Sequence, residues 1–263
     1  MLLPRIIPCL LIHNKGLVKT VQFKDPKYVG DPINAVKIFN EKKVDEIIIL
    51  DIDKTILNEA PDYKMIENLA SECRMPFCYG GGIKKLSQAQ KIFSLGVEKI
   101  ALSSSAISDL ELVKEIALNV GSQSVVLVLD VKKDKLGNYN VWTHNGKIKT
   151  KIEILNFVKK AEEFGAGEVV INSIDNDGMM KGYDFELAAK VRSSINLPLT
   201  ILGGAGNISD IGQLINNHGI IGAAAGSLFV FKGIFKAVLI SYPSEDVKYK
   251  LLNDYFNDKY SDI

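Results

Sequence analysis

Residues 45–106, DEIIILDID…PFCYGGGI…GVEKIALSSSA, are echoed by residues 167–229, GEVVINSID…LPLTILGGAG…GIIGAAAGSLF. Gly203 follows Gly80 by 123 positions, Ser227 follows Ser104 by 123, and Glu168 follows Glu46 by 122. An offset that holds across three features marks an internal duplication. Whatever architecture one half adopts, two copies must complete it.

Inside the halves, short aliphatic or β-branched runs recur at 5–12, 46–52, 76–81, 98–104, 124–131, 168–174, 197–204 and 219–226. Continuous apolar runs suit strands covered on both faces, as in a parallel sheet wrapped by helices. Stretches with helical spacing lie between them, at 32–43, 64–74, 87–96, 110–120, 151–165 and 184–194. Eight such units in 263 residues predict an α/β chain folded as one closed (β/α)8 TIM barrel. Its similar halves are expected at about 5–120 and 121–240, sharing one core because no linker divides them. Residues 241–263 read as a last helix with a charged, frayed end.

Charge and cysteine content narrow the function classes. Lys plus Arg number 32 against 31 Asp plus Glu, a net charge of +1, so no global field draws in nucleic acid or an anionic membrane. Any anion must be held locally. Cys9, Cys73 and Cys78 have no paired spacing and no nearby His, which argues against a disulfide framework or a zinc site; no cofactor or metal is expected. The opening MLLPRIIPCLLI is short, holds Pro4 and Pro8 and lacks a basic leader, and no later run reaches bilayer length. A cytoplasmic protein is the expectation.

Two segments break the short-loop habit of barrels: 13–31 after the first run and 132–150 after the fifth. Both leave strand C-terminal ends, where barrels place chemistry, so both are expected to act as lids. The second, with Gly137-Asn138 and Asn145-Gly146 around an alternating stretch, predicts a small hairpin.

Gly80-Gly81-Gly82 and Gly203-Gly204-Ala205-Gly206 end the third and seventh runs, and Ser104 and Gly226-Ser227 follow one unit later. Glycine lets backbone N–H groups approach a phosphate, and a hydroxyl completes the grip. Two grips on opposite sides of one mouth fit a ligand with a phosphate at each end. Asp130 closes VVLVLD, where a buried carboxylate is placed for acid or base work. Asp177 sits in the SIDNDG loop, while Asp51 and Asp175, at matching places in the halves, read as turn caps.

RIIPCL, the GDP of 30–32, EIIILDI, GGGI, GSQSVVLVLD, GAGEVVINSIDNDG, GYD at 182–184 and GGAG together resemble the cyclase subunit of imidazole glycerol phosphate synthase, over roughly residues 4–235. That family takes ammonia from a separate glutaminase subunit and passes it through the barrel to a substrate with two phosphates. The resemblance implies phosphate binding at Gly81, Gly82, Ser104, Gly204 and Ser227, with Gly226 beside them. It makes Asp130 one of two catalytic aspartates and places Lys19 and Asp177 near the reacting centre. Arg5, Glu46, Lys99 and Glu168 match the charged ring that gates ammonia entry. With no glutaminase nucleophile near His13, His144 or His218, a glutaminase must come as a partner in a heterodimer.

The second catalytic aspartate of the family falls at Leu11, which can neither give nor take a proton. Asn172 and Leu202 also stand where the family tends to have small hydroxyl residues. An intact gate and intact grips beneath an altered top resemble family members associated with amidation of bacterial surface sugars, similar in FKDPKYVGDP and INAVKIFNEK. The barrel would then deliver ammonia to a sugar amidotransferase. The alternatives are a genuine lyase of histidine biosynthesis, with His13 or a water replacing the absent acid, and a non-catalytic scaffold that activates the glutaminase.

Overall fold

The computed structural model describes residues 3–251. Eight parallel strands close into a ring: β1 (Arg5–His13), β2 (Ile47–Asp51), β3 (Phe77–Gly80), β4 (Lys99–Leu102), β5 (Val125–Lys133), β6 (Glu168–Ser173), β7 (Leu199–Leu202) and β8 (Gly222–Ala225). Neighbours in sequence are neighbours in the sheet, and β8 returns to β1 through Arg5 opposite Gly222. The helices between them are α1 (Pro32–Glu41), α2 (Tyr63–Glu72), α3 (Leu86–Ser94), α4 (Glu111–Val120), α5 (Ile154–Glu163), α6 (Phe185–Arg192) and α7 (Ile208–His218). All eight apolar runs became strands and all six helical stretches became helices. The sequence reading passed over α7, whose start is fixed by a capping box between Asn207 and Asp210.

Strand parity divides the apolar residues into two cores. Ile47 and Ile49 of β2, Phe77 and Tyr79 of β3, and Val169 and Ile171 of β6 face outward and pack with helix residues such as Phe39, Ile66 and Leu187. Ile7, Cys9, Ile48, Cys78, Val126, Val128, Val170 and Ala224 face inward and fill the lumen. By the same alternation Arg5, Lys99 and Glu168 begin their strands on the lumen side, and Glu46, just before β2, falls on that side too. Asp130 and Asn172 lie on that side towards the C-terminal ends of β5 and β6.

The two long segments are not irregular loops. Segment 13–31 forms an antiparallel hairpin, Gly16–Val21 against Lys24–Gly30, joined to β1 by register pairs such as Leu11 with Val18. Asn14 and Lys15, at φ 49 and 64, make the two-residue turn that suits a twisted hairpin. The hairpin is pinned on the loop after β6: Gln22 N–H donates to the Asp177 carbonyl at 2.9 Å, and a Cβ on Gly178 would meet the Thr20 carbonyl at 2.2 Å. In the second half, β5 runs on to Lys133 and pairs with Tyr139–Thr143, the hairpin expected there. The turn after Thr143 reaches the mouth, where the Asn145 side chain donates to the Ile52 carbonyl at 2.9 Å.

The chain leaves the barrel beneath the strand starts. Tyr242 Oη donates to the Ile6 carbonyl at 2.8 Å, and Lys248 pairs with Asp45 at 2.7 Å. Residues 245–251 are helical; the rest of the expected closing helix and tail, 252–263, lies outside the described residues.

Candidate functional site

The C-terminal ends of the strands surround a cavity of about 530 Å³. Gly80, Gly81 and Gly82 with Ser104 form one wall, and Gly203, Gly204, Gly226 and Ser227 the opposite one; Lys19, Asp130 and Asp177 line it between them. The structure thus gathers at one mouth the glycines, serines and catalytic candidates singled out in the sequence, except Gly206, which does not line the cavity. The ring residues Arg5, Glu46, Lys99 and Glu168 stand at the other end of the lumen.

Asp130 and Asn172 are register partners on adjacent strands, and the Asn172 side-chain amide donates to Asp130 Oδ1 at 3.0 Å. Burial pushes the Asp130 carboxyl up to about 7, the Asn172 hydrogen bond holds it down, and the nearby Asp177 charge adds to the rise. A carboxylate poised there can exchange a proton at neutral pH. Asn172 Oδ1 is buried without a partner among the described residues. Asn172 had been noted only as a departure from the family. Its contact with Asp130 spans 42 residues of sequence and was not legible there.

The first hairpin supplies the neighbouring charges. Thr20 Oγ1 donates to Asp177 Oδ2 at 2.7 Å, and the Phe23 N–H donates to the same oxygen at 3.2 Å. Burial raises the Asp177 carboxyl, opposed by Thr20 and the Lys19 charge. Lys19 is buried, donates to the Cys9 carbonyl and lies against Gly226, where a Cβ would meet Nζ at 2.2 Å. Burial lowers the Lys19 ammonium, against the opposing effects of Cys9 and Asp177. A pinned hairpin, rather than an open lid, is what brings Lys19 into the cavity.

Leu11 faces the same space with Leu50, its register partner on β2. The carboxylates on the cavity wall are Asp51, Asp109, Asp130 and Asp177. Asp51 Oδ1 accepts from the Asp53 N–H at 3.1 Å, as a turn cap does, though burial also raises its carboxyl. Asp175 Oδ2 caps Lys133 N–H at 2.8 Å. His13 does not line the cavity; its Nδ1 lies 2.6 Å from Asp53 Oδ1 on the outer rim.

The glycine turns are demanded by backbone packing. A Cβ on Gly81 would meet the Asp51 carbonyl at 2.5 Å, and one on Gly204 the Gly182 carbonyl at 2.0 Å. Gly204 also sits at φ +112. Gly204→Ala is therefore expected to lose more than about 1 kcal/mol of stability, measured by urea unfolding, and to widen this wall of the cavity.

At the opposite end of the lumen the four charged side chains close on one another. Arg5 donates to Glu46 and, at 2.7 Å, to Glu168; Lys99 reaches Glu46 at 2.9 Å and Glu168 at 2.9 Å. Thr200 Oγ1 braces Glu168 at 2.7 Å, a buried hydroxyl with no sequence signal to mark it. Burial alone would raise the Glu168 carboxyl, but Arg5 and Lys99 outweigh it and hold it below the usual range. A carboxylate lowered by folding adds stability above its unfolded pKa of about 4.3 and loses that contribution as pH falls through its folded value. Acidification below about pH 4 is expected to destabilise the chain, and Glu168→Gln to flatten that loss in urea midpoints measured across pH.

Among the described residues no group of three His, Cys, Asp or Glu side chains could hold a metal ion, and no helix is long and apolar enough to cross a membrane.

Comparison with known proteins gives the arrangement a context. Residues 5–236 match the family described as histidine biosynthesis protein. A Vibrio vulnificus protein named "Putative imidazole glycerol phosphate synthase subunit hisF3" is 54% identical over 253 residues, covering 96% of this chain and 97% of its own length. The "Putative imidazole glycerol phosphate synthase subunit hisF2" of Pseudomonas aeruginosa is 52% identical over 239 residues, 91% of this chain and 95% of that one. "Imidazole glycerol phosphate synthase subunit HisF" of Clostridium botulinum strain Okra is 36% identical over 248 residues, 94% and 98% of the two chains.

Proposed function

The chain belongs to the histidine biosynthesis protein family, as a barrel of the HisF type, the cyclase subunit of imidazole glycerol phosphate synthase, and on that footing we propose that it delivers ammonia rather than closing an imidazole ring. In this reading a glutaminase partner docks beneath the strand starts in the cytoplasm, and ammonia enters through Arg5, Glu46, Lys99 and Glu168. It travels as a neutral molecule along the apolar lumen and emerges beside Asp130. Gly81, Gly82 and Ser104 on one side, and Gly204, Gly226 and Ser227 on the other, hold a phosphorylated ligand. Lys19 and Asp177 supply charge near the reacting atoms, and a sugar amidotransferase completes the complex.

One observation carries this reading: a complete charged ring and an apolar lumen open on a mouth where Leu11, on the strand across the ring from Asp130, lines the same cavity. Ring closure by paired acid and base needs a second group there, while delivery does not.

The test follows the amide nitrogen of isotope-labelled glutamine in a mixture of barrel, glutaminase and amidotransferase. Label is expected in an amidated sugar only with all three present, and the barrel alone with ammonium salt is expected not to cyclise the histidine-pathway substrate. Robust cyclisation in the second arm discards the proposal. The lyase reading is favoured by the family membership and by both glycine walls; it predicts a large gain in cyclisation on Leu11→Asp.

A further inference from the structure

The cavity does not respect the duplication. Beyond the first glycine wall it extends outward along Thr55, Asn58, Lys84, Ser105, Ser108 and Leu112. Positions 123 later are Gly178, Lys181, Asn207, Leu228, Phe231 and Phe235, and of these only Gly178 reaches the cavity. Leu228 and Phe231 are drawn into the outer core instead. Gly182 N–H donates to the Gly204 carbonyl at 2.9 Å, and Gly206 is packed on the Met180 backbone, so segment 180–182 walls off the second grip. The second grip is a dead end suited to a terminal phosphate, whereas the first is a passage.

We propose that the first grip takes an internal phosphate of a diphosphate ester, whose outer phosphate meets Lys84 and whose hydroxyl-rich remainder lies along Thr55, Ser105 and Ser108. Lys84 Nζ donates to Asn58 Oδ1, which steadies the ammonium at the rim. Lys84 forms no ion pair among the described residues, whereas nearby Lys54 is engaged by Glu59 at 2.8 Å. A cation on a cavity wall with only a neutral partner retains its attraction for an anion. Asp109, the one carboxylate of the groove, caps the Glu111 N–H at 2.9 Å through Oδ1, leaving Oδ2 for a sugar hydroxyl. The inference rests on the delivery reading for its meaning, since it makes the acceptor a diphosphate-linked sugar, but its binding test is independent of nitrogen transfer.

Inorganic phosphate, pyrophosphate and uridine diphosphate are titrated into the full chain and followed by calorimetry and backbone amide shifts. Pyrophosphate is expected to bind about tenfold more tightly than phosphate, the gain of one further charge-assisted contact. Uridine diphosphate is expected to bind at least as well as pyrophosphate, with shifts at Ser105 and Ser108 as well as Ser104. Lys84→Met, checked for an unchanged unfolding curve, is expected to erase the pyrophosphate advantage. Equal binding of phosphate and pyrophosphate, no binding of either, a ratio unmoved by Lys84→Met, shifts centred on Ser227, or weaker binding of the nucleotide overturns the proposal. A failed label transfer alongside a retained binding ratio sinks the delivery reading and leaves this subsite standing.

Discussion

Asp130→Asn lowers the yield of labelled product by about 10²–10⁴-fold, the range that a positioned acid or base supplies, while the barrel still binds its glutaminase. The expectation follows from position and chemistry together. Asp130 is the carboxylate at the lumen exit, oriented by the Asn172 amide at 3.0 Å, and burial brings its carboxyl up to about 7. Asparagine keeps the shape but can neither hold a charge there nor take the proton that the nitrogen must shed once neutral ammonia has added to an acceptor. Because the raised carboxyl ionises through neutrality, output that needs the carboxylate climbs as pH rises through about 7, and the variant loses that limb. Undiminished output with the complex intact favours the scaffold reading.

Arg5→Met is expected to cost about 3–5 kcal/mol, read as a fall in the urea midpoint at neutral pH. Glu46 and Glu168 are almost fully buried, and Arg5 bridges them while Lys99 bridges them a second time. Without Arg5, two buried carboxylates share one ammonium, and removing one member of a buried ionic set leaves a charge uncompensated. Protonation of either glutamate relieves that charge, so the loss shrinks on acidification. A loss that is the same at low and neutral pH would show a packing effect of the long side chain. In the three-component mixture the same variant is expected to let label leak into free ammonium.

Several residues were legible because their chemistry repeats or departs from expectation in the linear chain. The glycine turns, Ser104 and Ser227 stand at one offset, and Asp130 closes an apolar run. Alternation along β6 already separates Glu168, Val170 and Asn172 from Val169 and Ile171. Thr200, Thr20 and Asn172 were missed as functional neighbours for a single reason. Each matters through a partner far along the chain, Glu168, Asp177 and Asp130, and hydroxyl or amide residues in strands carry no pattern of their own. The hairpin at 16–30 was read as a loop because its strand Lys24–Gly30 is almost wholly exposed and so lacks the apolar alternation that marks a half-buried strand.

The sequence by itself determined the eight strands, the doubling of the half-barrel and the face on which each side chain would lie, because a period of two and a constant offset are properties of the linear chain. Closure of the ring decided the rest. Only when β8 meets β1 and β5 meets β6 do Arg5 and Glu168, 163 residues apart, share a hydrogen bond. Only then does Asn172 reach Asp130, and does the cavity open past one glycine wall and stop at the other. Those contacts depend on how far apart strands stand across a lumen, a distance that hydrogen-bonded closure sets and that no local spacing encodes.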